Sequence, residues 1–266
     1  MITYRATLDV PAETAHQVAA WLSAYRNTHD TRPWQRAATP YVQAVMALRW
    51  FKEATDIPIL ARDARVSIAT AYRYLHEAID VIAAQAPDLP EVLADGLRQG
   101  WAFVCLDGTL IPCTRVSAPS EAGHDLWYSG KHRQHGGNTQ VLTDPTGWPV
   151  WVSDVELGST HDISAARIHA LPALYPAATA GLPTLTDKGY AGAGAGIQVP
   201  TKGNNLAPDN QTRNRMINAL RAPAERANAL LKRTWKALER ITLDPWRIGA
   251  ITAAALVLLQ LQKPTR

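Results

Sequence analysis

Cysteine is nearly absent from this 266-residue chain: Cys105 and Cys113 are the only two, with no CxxC pair. That excludes a disulfide framework and a thiolate zinc site, both of which need more cysteines in a recognisable spacing. Both thiols therefore read as reduced and structural. Long hydrophobic runs are missing as well. The most apolar stretch, 248–259, covers 12 residues, whereas a membrane-spanning helix needs about 20; a buried core helix is expected there, and no membrane partner. The first residues lack the basic start, apolar core and small-residue cleavage site of a secretory signal, which points to the cytoplasm.

Two familiar ligand motifs are also incomplete. The glycine-rich stretch 189–196, GYAGAGAG, has neither the Lys-Ser/Thr ending of a phosphate loop nor a G-x-G-x-x-G arrangement, and reads as a loop. His132-x2-His135 lacks partner ligands at zinc-site spacing. The cluster Lys131, His132, Arg133 and His135 is open to two readings, contact with nucleic-acid phosphates or a solvated loop.

What is present starts with charge. Only 19% of residues are charged, against 47% hydrophobic, enough to bury a substantial core and carry a small second domain. From residue 201 onward there are 12 Lys and Arg against 4 Asp and Glu, a net of +8; the first 200 residues carry −4. A basic segment on an acidic remainder suggests one face built for polyanions, since Lys and Arg neutralise phosphates and release counterions.

Helical periodicity dominates residues 12–82. Thr39-Pro40 reads as a helix start, with Val42, Val45, Met46 and Trp50 inward. Residues 57–80 read as two helices joined by a tight turn, with Ser67 capping the second and Ile68, Ala71 and Leu75 inward. Thr70, Tyr72, Arg73 and His76 then face outward, where they could reach phosphates and base edges in a major groove. Arg65 stands where such turns often have glycine. Pro87 and Pro90 interrupt the pattern, and the expected domains are 1–92 and 93–266.

After Gly100 the sequence turns to strand formers, and 136–156 reads as two strands about the turn Asp144-Pro145-Thr146-Gly147. Asp107 is a carboxylate within a largely apolar strand; it needs a cation, hydrogen bonds or a raised pKa, or else it caps a turn through Gly108. Asp187 follows a short strand, 184–186, where open α/β sheets place ligands. Glu225 lies early in a helix with Arg221 and Lys232 at i−4 and i+7, on one face if the helix runs unbroken through Pro223. Three carboxylates so placed suit Mg²⁺ or Mn²⁺, and two such ions can activate the attacking oxygen and stabilise the leaving oxygen of a phosphodiester.

LDGTLIP around Asp107, ELGSTHD at 156–162, LTDKGY around Asp187, and R-x3-E-x6-K from Arg221 through Glu225 to Lys232 occur in this order over nearly the whole chain. Together they resemble the DDE transposases, in the insertion-sequence and Harbinger-like branch that carries an amino-terminal helix-turn-helix domain. The resemblance implies an α/β ribonuclease H-like mixed sheet with flanking helices behind that all-α domain. It implies Asp107, Asp187 and Glu225 as catalytic metal ligands for two Mg²⁺ or Mn²⁺ ions, and basic contacts from Arg221 and Lys232. Asn218 departs from the usual Tyr of the signature. The implied partners are double-stranded DNA, as transposon ends and target, and further copies of the chain on that DNA, in the cytoplasm at the nucleoid.

Arg226, Arg233 and Lys236 extend the basic set expected on DNA, with Thr70, Tyr72 and Arg73 from the amino-terminal helix. Asp162 reads first as a helix cap, and second, with His161, as support for the site. Trp127, Trp148 and Trp151 are expected to pack the sheet. Two rival functions stay open: a DNA-binding regulator without catalysis, and a metal-dependent nuclease without strand transfer.

Overall fold

The structure is a computed structural model that describes residues 7–121 and 123–263. Five helices come first: α1 (Ala12–Thr28), α2 (Pro40–Glu53), α3 (Ile57–Asp63), α4 (Ile68–Ala83) and α5 (Leu89–Arg98). Local chemistry sets their starts. Thr39 accepts a hydrogen bond from the Val42 amide at 3.3 Å and Ser67 from the Thr70 amide at 3.1 Å, each satisfying a donor that the first helical turn leaves orphaned. Between α3 and α4 the chain reverses at Arg65, which takes the left-handed conformation at φ 56° without being glycine. Residues 92 and 93 lie within α5.

Two inward assignments are corrected here. Ile68 is 51% exposed and Val42 36% exposed, because both sit in the first turn of their helices, beyond the edge of the packed face. Met46, Trp50, Ala71 and Leu75 are buried as their periodicity requires.

A mixed sheet follows. β1 (Val104–Pro112) is its centre, and the order across the sheet is β2 (Tyr128–Ser129), β3 (Gln134–Thr143), β1, β6 (Thr184–Leu185), β7 (Ile197–Gln198). The short β4 (Pro149–Val152) and β5 (Glu156–Leu157) also pair with β3. β1 runs antiparallel to β3 and parallel to β6. The turn between β3 and β4 is built on Asp144, whose Oδ1 accepts from the amides of Thr146 and Trp148 at 2.9 Å each, with Gly147 at φ 84°.

Helices cover both faces of the sheet. α6 (Asp162–His169) and α7 (Leu171–Thr179) belong to one layer with α5; α8 (Pro208–Thr234) and α9 (Ile248–Gln260) belong to the other. The 13-residue α9 is almost wholly buried, the fate of a run apolar all round but too short to span a bilayer. It packs against α4, so one apolar cluster runs from Leu22 and Phe51 through Ile79 to Trp235 and Leu258. Burying each such side chain contributes roughly 1.5–3 kcal/mol, and the carboxyl-terminal helix thereby ties the helical region to the sheet. Trp127 and Trp151 are buried on the sheet, Trp127 edge-on to Trp246.

Candidate active site

The two central aspartates are brought together by strand pairing. Val104 pairs with Thr184 and Cys105 with Leu185 in parallel register. Asp187 follows β6 by two residues, close enough to Asp107 on the neighbouring strand for its charge to act there. Asp187 caps the 3-10 turn Lys188–Tyr190 by accepting from the Gly189 amide at 2.8 Å, which fixes where its carboxylate begins. Burial, and after it the neighbouring charge of Asp187, pushes the Asp107 carboxyl up to about 6, with the Arg221 guanidinium pulling the other way.

The face of β1 that carries Asp107 is covered by α8, which runs unbroken through Pro223, so Glu225 lies late in a helix that begins at Pro208 rather than early in one, as its sequence suggests. Asn228 donates from Nδ2 to Asp107 Oδ2 at 3.0 Å, while its own Oδ1 is buried with no hydrogen-bond partner. Lys232 Nζ donates to the Leu110 carbonyl at 2.8 Å, and burial lowers its pKa while Asp107 raises it. Arg221 is buried at 8% exposure, and no ion pair involves it among the described residues. At about 100° per residue Arg221 lies only 20° or so round the helix from Asn228, which explains why it reaches Asp107.

Glu225 falls about 60° from Asn228 by the same count, and it is exposed. It lines a shallow groove with Ala222, Arg226, Ala229 and Arg233 on the outer side of α8. Arg226 and Arg233 are exposed, and Lys236 is exposed in the 3-10 turn that follows the helix. On α4, Tyr72 and Arg73 are exposed and Thr70 is half-buried, with Arg73 Nη2 donating to Thr70 Oγ1 at 3.0 Å. His76 is half-buried, and burial lowers its pKa.

The opposite face of β1 holds a fourth carboxylate. Asp162 is the first residue of α6, and its side chain makes no cap bond to that helix. Oδ1 instead accepts from Asn138 Nδ2 at 2.8 Å, and Oδ2 from Lys131 Nζ at 2.8 Å. It lies so close to Gly108 that a Cβ there would stand 2.4 Å from Asp162 Oδ1. Glycine beside Asp107 is what admits it. Asp162 and His161, with Lys131, His132, Asn138 and Ser159, line a cavity of about 160 Å³.

Beneath the carboxylates runs a chain of buried polar groups. Tyr190 hydroxyl donates to Gln140 Oε1 at 2.6 Å, Gln140 Nε2 to Asn138 Oδ1 at 3.0 Å, and Asn138 to Asp162. It ties the LTDKGY loop to the start of α6 through alternate residues of β3. Burial, with Asp162, Asp107 and Asp187 nearby, pushes the Tyr190 hydroxyl far up, so it stays a donor. Sequence pattern alone does not single out Asn138, Gln140 or Asn228. Two amides at i and i+2, on one face of the strand, are the available signal for the first two; Asn228 has none, since Asn on a polar helix is unremarkable.

Residues 106–260, more than half of the chain, match the model of a family described as DDE superfamily endonuclease. The chain belongs to the DDE superfamily of endonucleases. No curated protein and no solved structure matches it. The mixed sheet with flanking helices behind an all-helical region agrees with a DDE nuclease fold, and the family implies a DNA substrate. No helix among the described residues is long and apolar enough to cross a membrane.

DDE superfamily enzymes generally use divalent metal ions. The donor set here fits a hard cation: two carboxylates at neighbouring strands, close enough to interact, and the unpartnered Oδ1 of Asn228 beside Asp107 are all oxygen ligands. Among the described residues, no three acidic, histidine or cysteine side chains close on one point. A third carboxylate, whether Glu225 or Asp162, therefore stands back from the pair formed by Asp107 and Asp187.

Proposed function

We propose that this DDE superfamily protein is a DNA transposase that cleaves the ends of its element and joins them to target DNA. The observation that carries the reading is the approach of Asp107, midway along β1, and Asp187, just past the end of parallel β6, in a setting where burial and mutual repulsion raise the Asp107 pKa. A structural aspartate in a sheet is relieved by donors; this pair retains an electrostatic demand for a cation. Asp107 and Asp187 would hold Mg²⁺ or Mn²⁺, and Glu225, on the outer side of α8, would complete the set only once that helix turns it inward on DNA; the ions, when bound, would activate the attacking oxygen and stabilise the leaving oxygen of a phosphodiester.

The other residues bind and orient. Asn228 fixes the Asp107 carboxylate, and Arg221 and Lys232 supply positive charge on the α8 side without displacing the acidic ligands. Arg226, Arg233 and Lys236 continue that charge along the exposed side, where a DNA strand can lie. The helix-turn-helix of α3 and α4 offers Thr70, Tyr72 and Arg73 to an element end, and pairing of two ends calls for more than one copy of the chain. His161 and Asp162 support the site from the α6 side.

The test is cleavage of a labelled duplex carrying the element's own end, with and without Mg²⁺ or Mn²⁺, for the wild type and for Asp107→Asn, Asp187→Asn and Glu225→Gln. Metal-dependent cutting and strand transfer by the wild type, lost in each variant, is the expected result. Cutting without transfer would favour a plain nuclease. Binding without cutting would leave a DNA-binding regulator. A variant that cuts at the wild-type rate removes that residue from the site.

A further inference from the structure

We propose that Lys131 is a built-in counter-ion of the acidic centre, held by Asp162 on the α6 side of β1, and that a divalent cation binding at Asp107 and Asp187 competes with it. This rests on the metal-binding reading above and deepens it.

The geometry begins with the absence of a side chain at position 108. Gly108 follows Asp107 on the central strand, and its bare Cα lets Asp162 press against the strand from the other face. Asn138 fixes one oxygen of Asp162, so the other is aimed, and Lys131 Nζ takes it at 2.8 Å. Lys131 comes from the turn between β2 and β3, which the antiparallel pairing of β3 with β1 places toward the carboxyl end of β1, the end at which Asp187 leaves β6. Its pKa is raised first by the hydrogen bond to Asp162, then by the charges of Asp162, Asp187 and Asp107 together. Lys131 in turn favours the charged form of Asp107. Arg221 and Lys232 act on Asp107 from the α8 side, so cationic side chains flank the centre on both faces without cancelling its charge.

The two faces differ in how firmly the cation is held. Lys232 is half-buried and bonded to a β1 carbonyl, whereas Lys131 keeps 64% of its side chain exposed beside an open cavity. An ammonium on a flexible, solvated stem can leave when a doubly charged ion arrives. The half-buried Lys232 ammonium, tied to a strand carbonyl, is far less free to leave. Once released, Lys131 has the polar cavity lined by His132, Ser159 and His161 in front of it, where a DNA phosphate could be met.

Competition predicts effects of opposite sign from two partners in one ion pair. Mn²⁺ binding, followed by titration calorimetry and by the electron paramagnetic resonance signal of free Mn²⁺, is to be measured without DNA for wild type, Lys131→Ala, Lys131→Gln and Asp162→Asn. Removing the Lys131 charge should tighten Mn²⁺, and removing the Asp162 charge should weaken it, each by about tenfold, the scale of groups adjacent to metal ligands. A merely structural ion pair would give losses of the same sign from both sides. Circular dichroism and melting temperature report folding of each variant, and Lys131→Gln keeps the stem should the alanine unfold the turn. If both Lys131 variants fold and bind Mn²⁺ no tighter than wild type, while wild type binds and Asp107→Asn does not, the counter-ion role is overturned and the metal reading stands. If neither wild type nor the Lys131 variants bind Mn²⁺, both fall.

Discussion

The acidic centre and the exposed surfaces of α4 and α8 are all rich in charged and polar residues, but they differ in what places them. Asp107 and Asp187 are set by backbone pairing of two parallel strands, and Asp162 by a glycine and an amide. Their charges are confined, and confinement shows in the raised pKa of Asp107 and in donors committed to all three. Tyr72, Arg73, Arg226 and Arg233 are placed by helix periodicity alone and stand in solvent. A buried charge has to be compensated within the fold, so its role leaves a structural trace; an exposed one is defined only when its partner arrives. Substitutions in the two regions should therefore separate chemistry from grip.

The largest effect is expected at the centre. Asp187→Asn keeps the shape of the side chain and a carbonyl to accept from Gly189, yet removes a charge that the cation needs. Strand cleavage should fall by about a hundredfold or more, the scale of losing one electrostatic group at a reacting phosphate, while DNA affinity is not lowered. Single-turnover cleavage beside a binding isotherm checks this. Loss of binding in step with loss of cleavage would erase the contrast between the two regions.

Arg73→Ala should do the reverse. A good bidentate base contact discriminates by roughly 1–3 kcal/mol, so affinity for the element's end should drop by about tenfold or more while affinity for random duplex changes little. Competition binding at fixed salt measures it. Equal losses on both DNAs would show that α4 holds backbone only. For Arg233→Ala the expected change is sequence-independent, with the log-log salt slope reduced by about 0.9.

Gly108→Ala tests how the centre is assembled. The new Cβ would collide with Asp162, which must move away from Asn138 and Lys131. Cleavage should fall by about tenfold, as when a ligand's supporting partner is lost, with Asp107 and Asp187 intact. An unaffected rate would detach Asp162 from the reaction.

The same contrast explains what can be read from sequence. The strand with Asp107, the short strand just before Asp187 and the existence, though not the start, of the helix with Glu225 follow from local pattern, because strand formers, a breaker after the strand and helical spacing act within a few residues. Caps at Thr39 and Ser67 are equally local. The parallel pairing of β1 with β6 that brings Asp107 near Asp187 is not, since the two lie 80 residues apart and only the closed sheet sets them together. Nor is the role of Asn228, or the rotation of Glu225 to the outer side of α8 while Arg221 turns inward. Asp162 reads as a helix cap in sequence because Asp at a helix start is common; its bonds to Lys131 and Asn138 come from elements 31 and 24 residues away.

The smallest effect expected is also the one that most directly tests confinement. The pKa of Asp107 in the folded protein stands at about 6, above the ordinary value of 3.8. For an acid raised in this way the folded protein favours the protonated form, so the associated stability is fully present below the unfolded pKa and is lost as pH rises through about 6. At pH 7 to 8, without divalent metal, the ionised Asp107 is then a burden on the fold. Asp107→Asn removes that burden and retains a group able to pair with Asn228. Its melting temperature should exceed that of wild type by a few degrees at pH 8, the scale of about 1 kcal/mol in a chain of this size, and the gap should close as pH falls towards 4. Scanning calorimetry in chelator across that range measures it, and Mg²⁺ should shrink the gap at pH 8 by stabilising the wild type alone. A variant less stable than wild type at pH 8 in chelator would mean that Asp107 is a satisfied structural residue, and the difference between the centre and the helix surfaces would lose its physical basis.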